Sequence, residues 1–182
     1  MRVLIILAAM LVSPQNRQPA SIPQQPLQVK VTPELQKVIT QVKKNNPNLS
    51  KQYTLEVSQT ILKKSKKHGV SSKVLAAMLM QESAYKISAK NVKCGTSITT
   101  GERDCVVVDY GIGQINYKTI KHFKFDEKKL TSNLEYSIEA AAIVLADFKR
   151  MYGKKDNEYW TRYNASTKEK RTTYKMLVAR YM

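Results

Sequence analysis

The stretch SNLEYSIEAAAIVLADFKRMYG, residues 132–153, decides the fold class. Leu134, Ile138, Ala141, Ala142, Leu145, Phe148 and Tyr152 recur at the three-and-four spacing that places side chains on one face of an α-helix. Ser132 with Glu135 reads as a capping box at its start, and Gly153 reads as its stop.

Shorter helices follow on either side. Thr32 before Pro33 is a start signal, with Leu35, Val38, Ile39 and Val42 behind it and NNPN (45–48) as the end. A second helix is expected from Lys51 to Lys67, with Leu55, Ile61 and Leu62 inward and Gly69 closing it. Ser71 or Ser72 opens a third, carrying Val74, Leu75, Met78 and Leu79 up to Glu82. A short helix starts near Asn116, and a last one covers about 167–180 with Tyr174, Leu177, Val178 and Tyr181 inward. Residues 87–110 lack helical periodicity, and CVVVDY (105–110) reads as a short strand. The chain is mostly α, with a short β element near its cysteines.

The front of the chain differs. All six prolines fall before residue 48, and all six glycines after residue 68. Arg2 precedes an apolar run from Val3 to Val12. Ten residues are too few for a bilayer span of ~20 and suit a secretory leader. A buried first helix is the rival reading, and Pro14 with the Gln/Pro-rich stretch after it weighs against that. The expected organisation is a signal-like segment over 1–20, a Pro/Gln-rich linker and short helix over 21–50, and a folded domain over 51–182. No transmembrane span is expected in the mature chain.

The 182 residues carry a formal net charge of +17. Such a charge draws a protein to polyanions: nucleic acid, anionic membrane or an acidic wall polymer. Lysines are scattered along the whole chain, and no basic-aromatic strip of a nucleic-acid module is present, so no specific nucleic-acid partner is expected. Two His and two Cys give no metal-ligand spacing, so neither a metal nor a cofactor is expected. Cys94 and Cys105 are either a disulfide, worth about 2–3 kcal/mol in an oxidising compartment, or free thiols in a reducing one.

Three short stretches carry chemistry. Glu82 follows the uncharged VLAAMLMQ at a helix C-terminus, where apolar neighbours and the helix dipole oppose ionisation. A carboxyl kept protonated near neutral pH suits a glycosidase acid, although glutamates at helix ends are commonly structural. DYGIGQIN (109–116) has two glycines that permit a close backbone approach, then Gln114 and Asn116 as amides for sugar groups. Its bland alternative is a loop-to-helix junction, with Gly113 for packing and Asn116 as a cap. WTRYNAS (160–166) offers an aromatic platform beside amides, or simply a core Trp and Tyr.

Together and in order, ESAY, DYGIGQIN and RYNAS resemble the motifs of the soluble lytic transglycosylases, a branch of the lysozyme-like (goose-type/SLT) superfamily. NLEYSIEAAAIVLADF resembles that family's long central helix. The likeness covers about 53–182. It is nearest to small members that accompany secretion and conjugation machines, and phage wall-degrading enzymes use the same domain.

The resemblance implies Glu82 as catalytic acid and Ser83 as the Ser beside it, orienting backbone near the substrate. Asn91 stands nine residues on, where many members face the sugar with Ser. Gln114 and Asn116 are implied as glycan contacts, Tyr163 as the Tyr near the carboxyl, and Asn164 as its neighbour. Three departures stand out: Ile112–Gly113 replaces the family's Leu-Met, Ser166 replaces its final Gly, and the Cys94–Cys105 loop lengthens the segment between Glu82 and Gln114.

The implied substrate is the peptidoglycan glycan strand, cut at the MurNAc-β-1,4-GlcNAc bond with formation of 1,6-anhydroMurNAc. One carboxyl then serves as acid and as base. Asp109 is the possible second acid, and if it holds a water the enzyme is a hydrolysing muramidase. Two readings from other classes are a non-catalytic glycan binder and a structural part of an envelope-spanning machine. The implied location is exported, periplasmic or in the cell envelope.

Overall fold

The computed structural model describes residues 30–96, 99 and 103–182. The expected leader and most of the linker lie outside the described residues. The compact unit spans Val31–Met182.

Its elements in order are α1 (Pro33–Asn45), α2 (Lys51–His68), α3 (Ser72–Ser83), β1 (Lys90–Thr96), β2 (Arg103–Tyr110) and β3 (Ile115–Asn116). Then come α4 (Tyr117–Phe123), α5 (Glu127–Ser132), α6 (Leu134–Tyr152), a 3-10 turn (Tyr159–Tyr163) and α7 (Lys168–Ala179). The protein is mostly helical, as its apolar periodicity requires, and has a small sheet of order β1-β2-β3.

Side-chain caps set most helix starts. Thr32 Oγ1 accepts from the Leu35 N–H at 3.2 Å, Ser50 Oγ from Tyr53 at 3.1 Å and Ser71 Oγ from Val74 at 3.3 Å. At the long helix α6, the cap is Asn133 rather than Ser132: Asn133 Oδ1 accepts from the Tyr136 N–H at 2.9 Å. Ser132 belongs to α5, a helix absent from the sequence reading, and its hydroxyl donates to Lys128 O at 2.8 Å. Asn133 ends one helix and starts the next, so the capping box dissolves. Glu135 turns instead to Lys63 at 2.8 Å and Lys64 at 2.9 Å on α2.

The central helix α6 buries Ile138, Ala141, Ala142 and Leu145 and packs against α2, α3, α5 and the 3-10 turn. Its run of alanines lets these elements approach closely. On α2 the buried stripe differs from the expected one. Thr54, Val57, Ser58 and Ile61 are buried, while Leu55 and Leu62 are half-buried. Thr54 and Ser58 tolerate burial because their hydroxyls bond back to Ser50 O (2.8 Å) and Thr54 O (2.6 Å) of their own helix. Lys64 is also buried there, between Glu135 and Glu139.

Helix α1, which the sequence reading placed ahead of the domain, packs on α2 and α3 and buries Leu35, Val38 and Val42. Gln41 Nε2 and Asn45 Nδ2 both donate to Tyr181 O at 2.9 Å, which ties α1 to the end of the chain.

The region read as one short strand is a two-stranded antiparallel ribbon. Cys94 stands directly opposite Cys105, and the two form a disulfide. At the ribbon's base the register shifts after Asn91, which pairs with Asp109 while Val92 pairs with Val107. The extra residue, Val108, makes a bulge where the strands meet the rest of the domain. Among the described residues, no helix is long and apolar enough to cross a membrane.

Candidate active site

Glu82 lies in the last turn of α3. The helix ends there because Ala84 (φ 53°) and Tyr85 (φ 66°) both adopt the left-handed conformation. Two such residues in succession are costly and need support. Tyr85 supplies it: its ring is buried, its hydroxyl donates to Ala76 O at 3.0 Å, and its carbonyl accepts from the Tyr53 hydroxyl at 2.9 Å. The turn thus fixes the end of α3, and with it the direction of Glu82.

Ser83 ties that end to the glycine turn. Its hydroxyl donates to Ile112 O at 2.7 Å and its oxygen accepts from the Lys86 N–H at 3.1 Å. It lies outside the cleft lining. Its hydroxyl thus bonds backbone on both sides of the turn.

The glycine turn itself is close-packed. Gly111 has φ 74°, and a Cβ there would lie 2.0 Å from Leu130 O. A Cβ on Gly113 would lie 2.9 Å from both Ala141 Cβ and the Tyr163 hydroxyl oxygen. The missing side chain at 113 is what lets Tyr163 reach in and donate to Gly113 O at 2.8 Å. Ile112 points into the core and is fully buried.

These elements enclose a cleft of about 1100 Å³, lined by Glu82, Asn91, Asp109, Gln114, Asn116, Tyr163 and Asn164 among others. Five of the residues expected to bind therefore meet in one place with the expected acid Glu82 and the second carboxylate Asp109. Gln114 sits at φ 44° with its amide donating back to Gly111 O at 2.9 Å. Asn116 has two tasks: its Oδ1 caps α4 through the Lys118 N–H at 3.0 Å, and its Nδ2 donates to Asp109 Oδ1, also at 3.0 Å. Asn91 Nδ2 donates to the other oxygen, Asp109 Oδ2, at 2.8 Å. Asp109 is thus held by an amide on each oxygen. Trp160 is absent from the lining; it is buried beside Tyr174, ring centroids 6.5 Å apart, and is a core residue rather than a sugar platform.

The carboxyl of Glu82 receives two donors. The Tyr174 hydroxyl donates to Oε1 at 2.6 Å, and Asn164 Nδ2 reaches both oxygens at 3.3 Å. Burial pushes the Glu82 pKa from 4.5 to about 7, against these two bonds, which favour the anion, and with added repulsion from Asp109. Of the two causes read from the sequence, apolar neighbours and the helix dipole, it is burial that is the largest. Burial and the charges of Glu82 and Asp109 also hold the Tyr163 hydroxyl well above its ordinary range.

Tyr174 is the site residue that sequence reasoning placed elsewhere, as a core residue of α7. Its ring is indeed buried. The available signal was its hydroxyl, since a buried tyrosine oxygen needs a partner. The partner was not legible, because it lies 92 residues away in sequence.

A protonatable carboxyl in a polar cleft, with amides on both walls, is equipped to protonate a glycosidic oxygen. The family model described as Transglycosylase SLT domain matches residues 59–176, nearly two thirds of the chain. The protein belongs to the SLT transglycosylase family. No curated protein and no solved structure matches the chain. Membership of this lysozyme-like family supports, in general, a lytic-transglycosylase type of function acting on peptidoglycan. Glu82, Gln114 and Tyr163 all fall inside the matched region.

Proposed function

We propose that the protein is a lytic transglycosylase that cleaves the MurNAc-β-1,4-GlcNAc bond of peptidoglycan, with Glu82 as acid and then base. The observation that carries this reading is the Glu82 carboxyl raised to about 7 inside a cleft it shares with Gln114, Tyr163 and Asn164. Near neutral pH a large fraction of it holds a proton.

Protonated Glu82 gives its hydrogen to the glycosidic oxygen, and the bond from that oxygen to C1 of MurNAc breaks. The MurNAc N-acetyl oxygen supports the electron-poor C1, so no protein nucleophile is needed. The Glu82 carboxylate then takes the proton of the MurNAc C6 hydroxyl, whose oxygen bonds to C1. The products are a free GlcNAc hydroxyl and a 1,6-anhydroMurNAc end, and Glu82 regains its starting state.

The Tyr174 hydroxyl and the Asn164 amide fix the carboxyl's rotamer and stabilise its anionic phase between the two steps. Gln114, Asn91 and Asn116 supply the polar walls.

A second reading, hydrolysis by a muramidase, is favoured by one observation: Asp109 lines the same cleft. Against it, both Asp109 oxygens already accept amide hydrogens, which leaves less of the carboxylate for orienting a water. Mass spectrometry of the released muropeptides separates the two. Anhydro ends, one water lighter than reducing ends, are expected. Reducing MurNAc ends would establish hydrolysis. Loss of lysis in Glu82→Gln, with retained sedimentation on peptidoglycan, would exclude the purely binding role; unchanged lysis would refute the assignment of Glu82.

Peptidoglycan as substrate implies an exported or envelope location. The leader-like segment over 1–20 supports that, and the Cys94–Cys105 disulfide suits an oxidising compartment. Work beside a secretion, conjugation or phage assembly is the setting we propose for it.

A further inference from the structure

The cleft has a charged wall that the reaction above does not use. Lys90 and Lys93 of β1 and Lys118 in the first turn of α4 line it, and all three are exposed. They gather there because β1 and β3 flank β2, so Asn91 and Asn116 both reach Asp109. Lys90 adjoins the first of these amides and Lys118 lies two residues after the second.

These lysines are not spent on that aspartate. The amides hold Asp109, and among the described residues no carboxylate oxygen lies within 4.0 Å of the three ammonium groups. The fourth cation of the cleft, Arg162, is already engaged: its guanidinium stacks on the Tyr152 ring at 3.9 Å and faces Asp156 at 3.5 Å.

The hydroxyl and N-acetyl groups of the glycan are neutral, and a strand stripped of its stems keeps one lactyl carboxylate on each MurNAc, fewer than three ammonium groups can engage. The negative charges of an intact strand are the carboxylates of the peptide carried on the lactyl group of MurNAc. We infer that Lys90, Lys93 and Lys118 recognise the carboxylates of this stem peptide, so that the enzyme's substrate is the peptide-bearing strand rather than denuded glycan. The inference rests on the peptidoglycan reading above. Exposed lysine–carboxylate contacts are individually weak, and three acting together amount to about a tenfold preference.

The test compares initial rates on three forms of one preparation of glycan strands. They are the native strands, strands with carboxylates converted to methylamides, and strands stripped of stems by an amidase, which leaves a lactyl carboxylate. The wild type is expected to cut native strands about tenfold faster than either modified form, with the ratio shrinking as salt rises. In Lys90→Ala/Lys93→Ala/Lys118→Ala the ratio should fall to near one. The corresponding triple Arg variant should keep it, which separates charge from folding defects.

Equal wild-type rates on native and methylamidated strands would overturn the inference, as would an undiminished ratio in the Ala variant. Stripped strands cut as fast as native ones would show that the lactyl carboxylate, not the stem, is read, and would overturn it too. No cleavage of any form would overturn the transglycosylase reading itself, a failure distinct from that of the lysine wall.

Discussion

Replacing Glu82 with Gln tests the central physical claim without any substrate. The carboxyl has a pKa of about 7 in the folded protein and an ordinary value of 4.5 when exposed. A carboxyl raised in this way favours the folded state most when protonated. Its contribution is fully present below 4.5 and is lost as pH rises through about 7. At about pH 8 the ionised carboxyl costs the folded state about 3 kcal/mol, and at about pH 4 almost nothing. An amide does not titrate and keeps an oxygen for the Tyr174 hydroxyl. Glu82→Gln should therefore match the wild type at about pH 4 and exceed it by about 2–3 kcal/mol at about pH 8. Urea unfolding with the disulfide intact, repeated across this range, measures the gap. A gap that stays flat with pH, or one that reverses, would mean the carboxyl is not desolvated, and the proton-donor argument would fail with it. The same variant should lose at least about a hundredfold in wall lysis.

Tyr174→Phe removes the donor that favours the Glu82 anion. The Glu82 pKa should rise further, moving the alkaline limb of the pH–rate profile upward while kcat falls about tenfold; an unmoved limb would argue against the bond. Gly113→Ala puts a Cβ 2.9 Å from Ala141 on the central helix and from the Tyr163 hydroxyl oxygen, and neither is the free end of a flexible chain. A loss of about 1–3 kcal/mol in thermal unfolding, together with reduced activity, is expected. Lys64→Met addresses the buried ion cluster between α2 and α6. Burial raises the Glu139 pKa, but Lys64, Lys67 and His68 outweigh it and hold the carboxylate at about 2. That stabilisation is present above the ordinary 4.5 and is lost as pH falls through about 2. The variant should show a smaller drop in urea midpoint between about pH 5 and about pH 3 than the wild type.

The amino-acid sequence by itself determined the helices other than α5, because apolar spacing and capping residues act over three or four neighbours. Residues 134–152 and the caps at Thr32, Ser50 or Ser71 needed nothing distant. It also carried the order Glu82, Gln114, Tyr163, and with it the family. Where two local signals competed, it misled. Asn133 displaced Ser132 as the cap of α6 because α5 ends on the same residue. Leu55 yielded its inward place to Thr54 and Ser58, whose hydroxyls are satisfied within their own helix.

Only the tertiary structure decided the environment that makes chemistry possible. The height of the Glu82 pKa depends on what buries it, and its strongest donor, Tyr174, arrives from a helix 92 residues later. Asp109 is held by amides from two other strands, and Trp160 turns into the core. The gathering of Lys90, Lys93 and Lys118 on one wall follows from the ribbon's fold. Desolvation and long-range hydrogen bonds belong to the packed arrangement, and no window of neighbouring residues contains them.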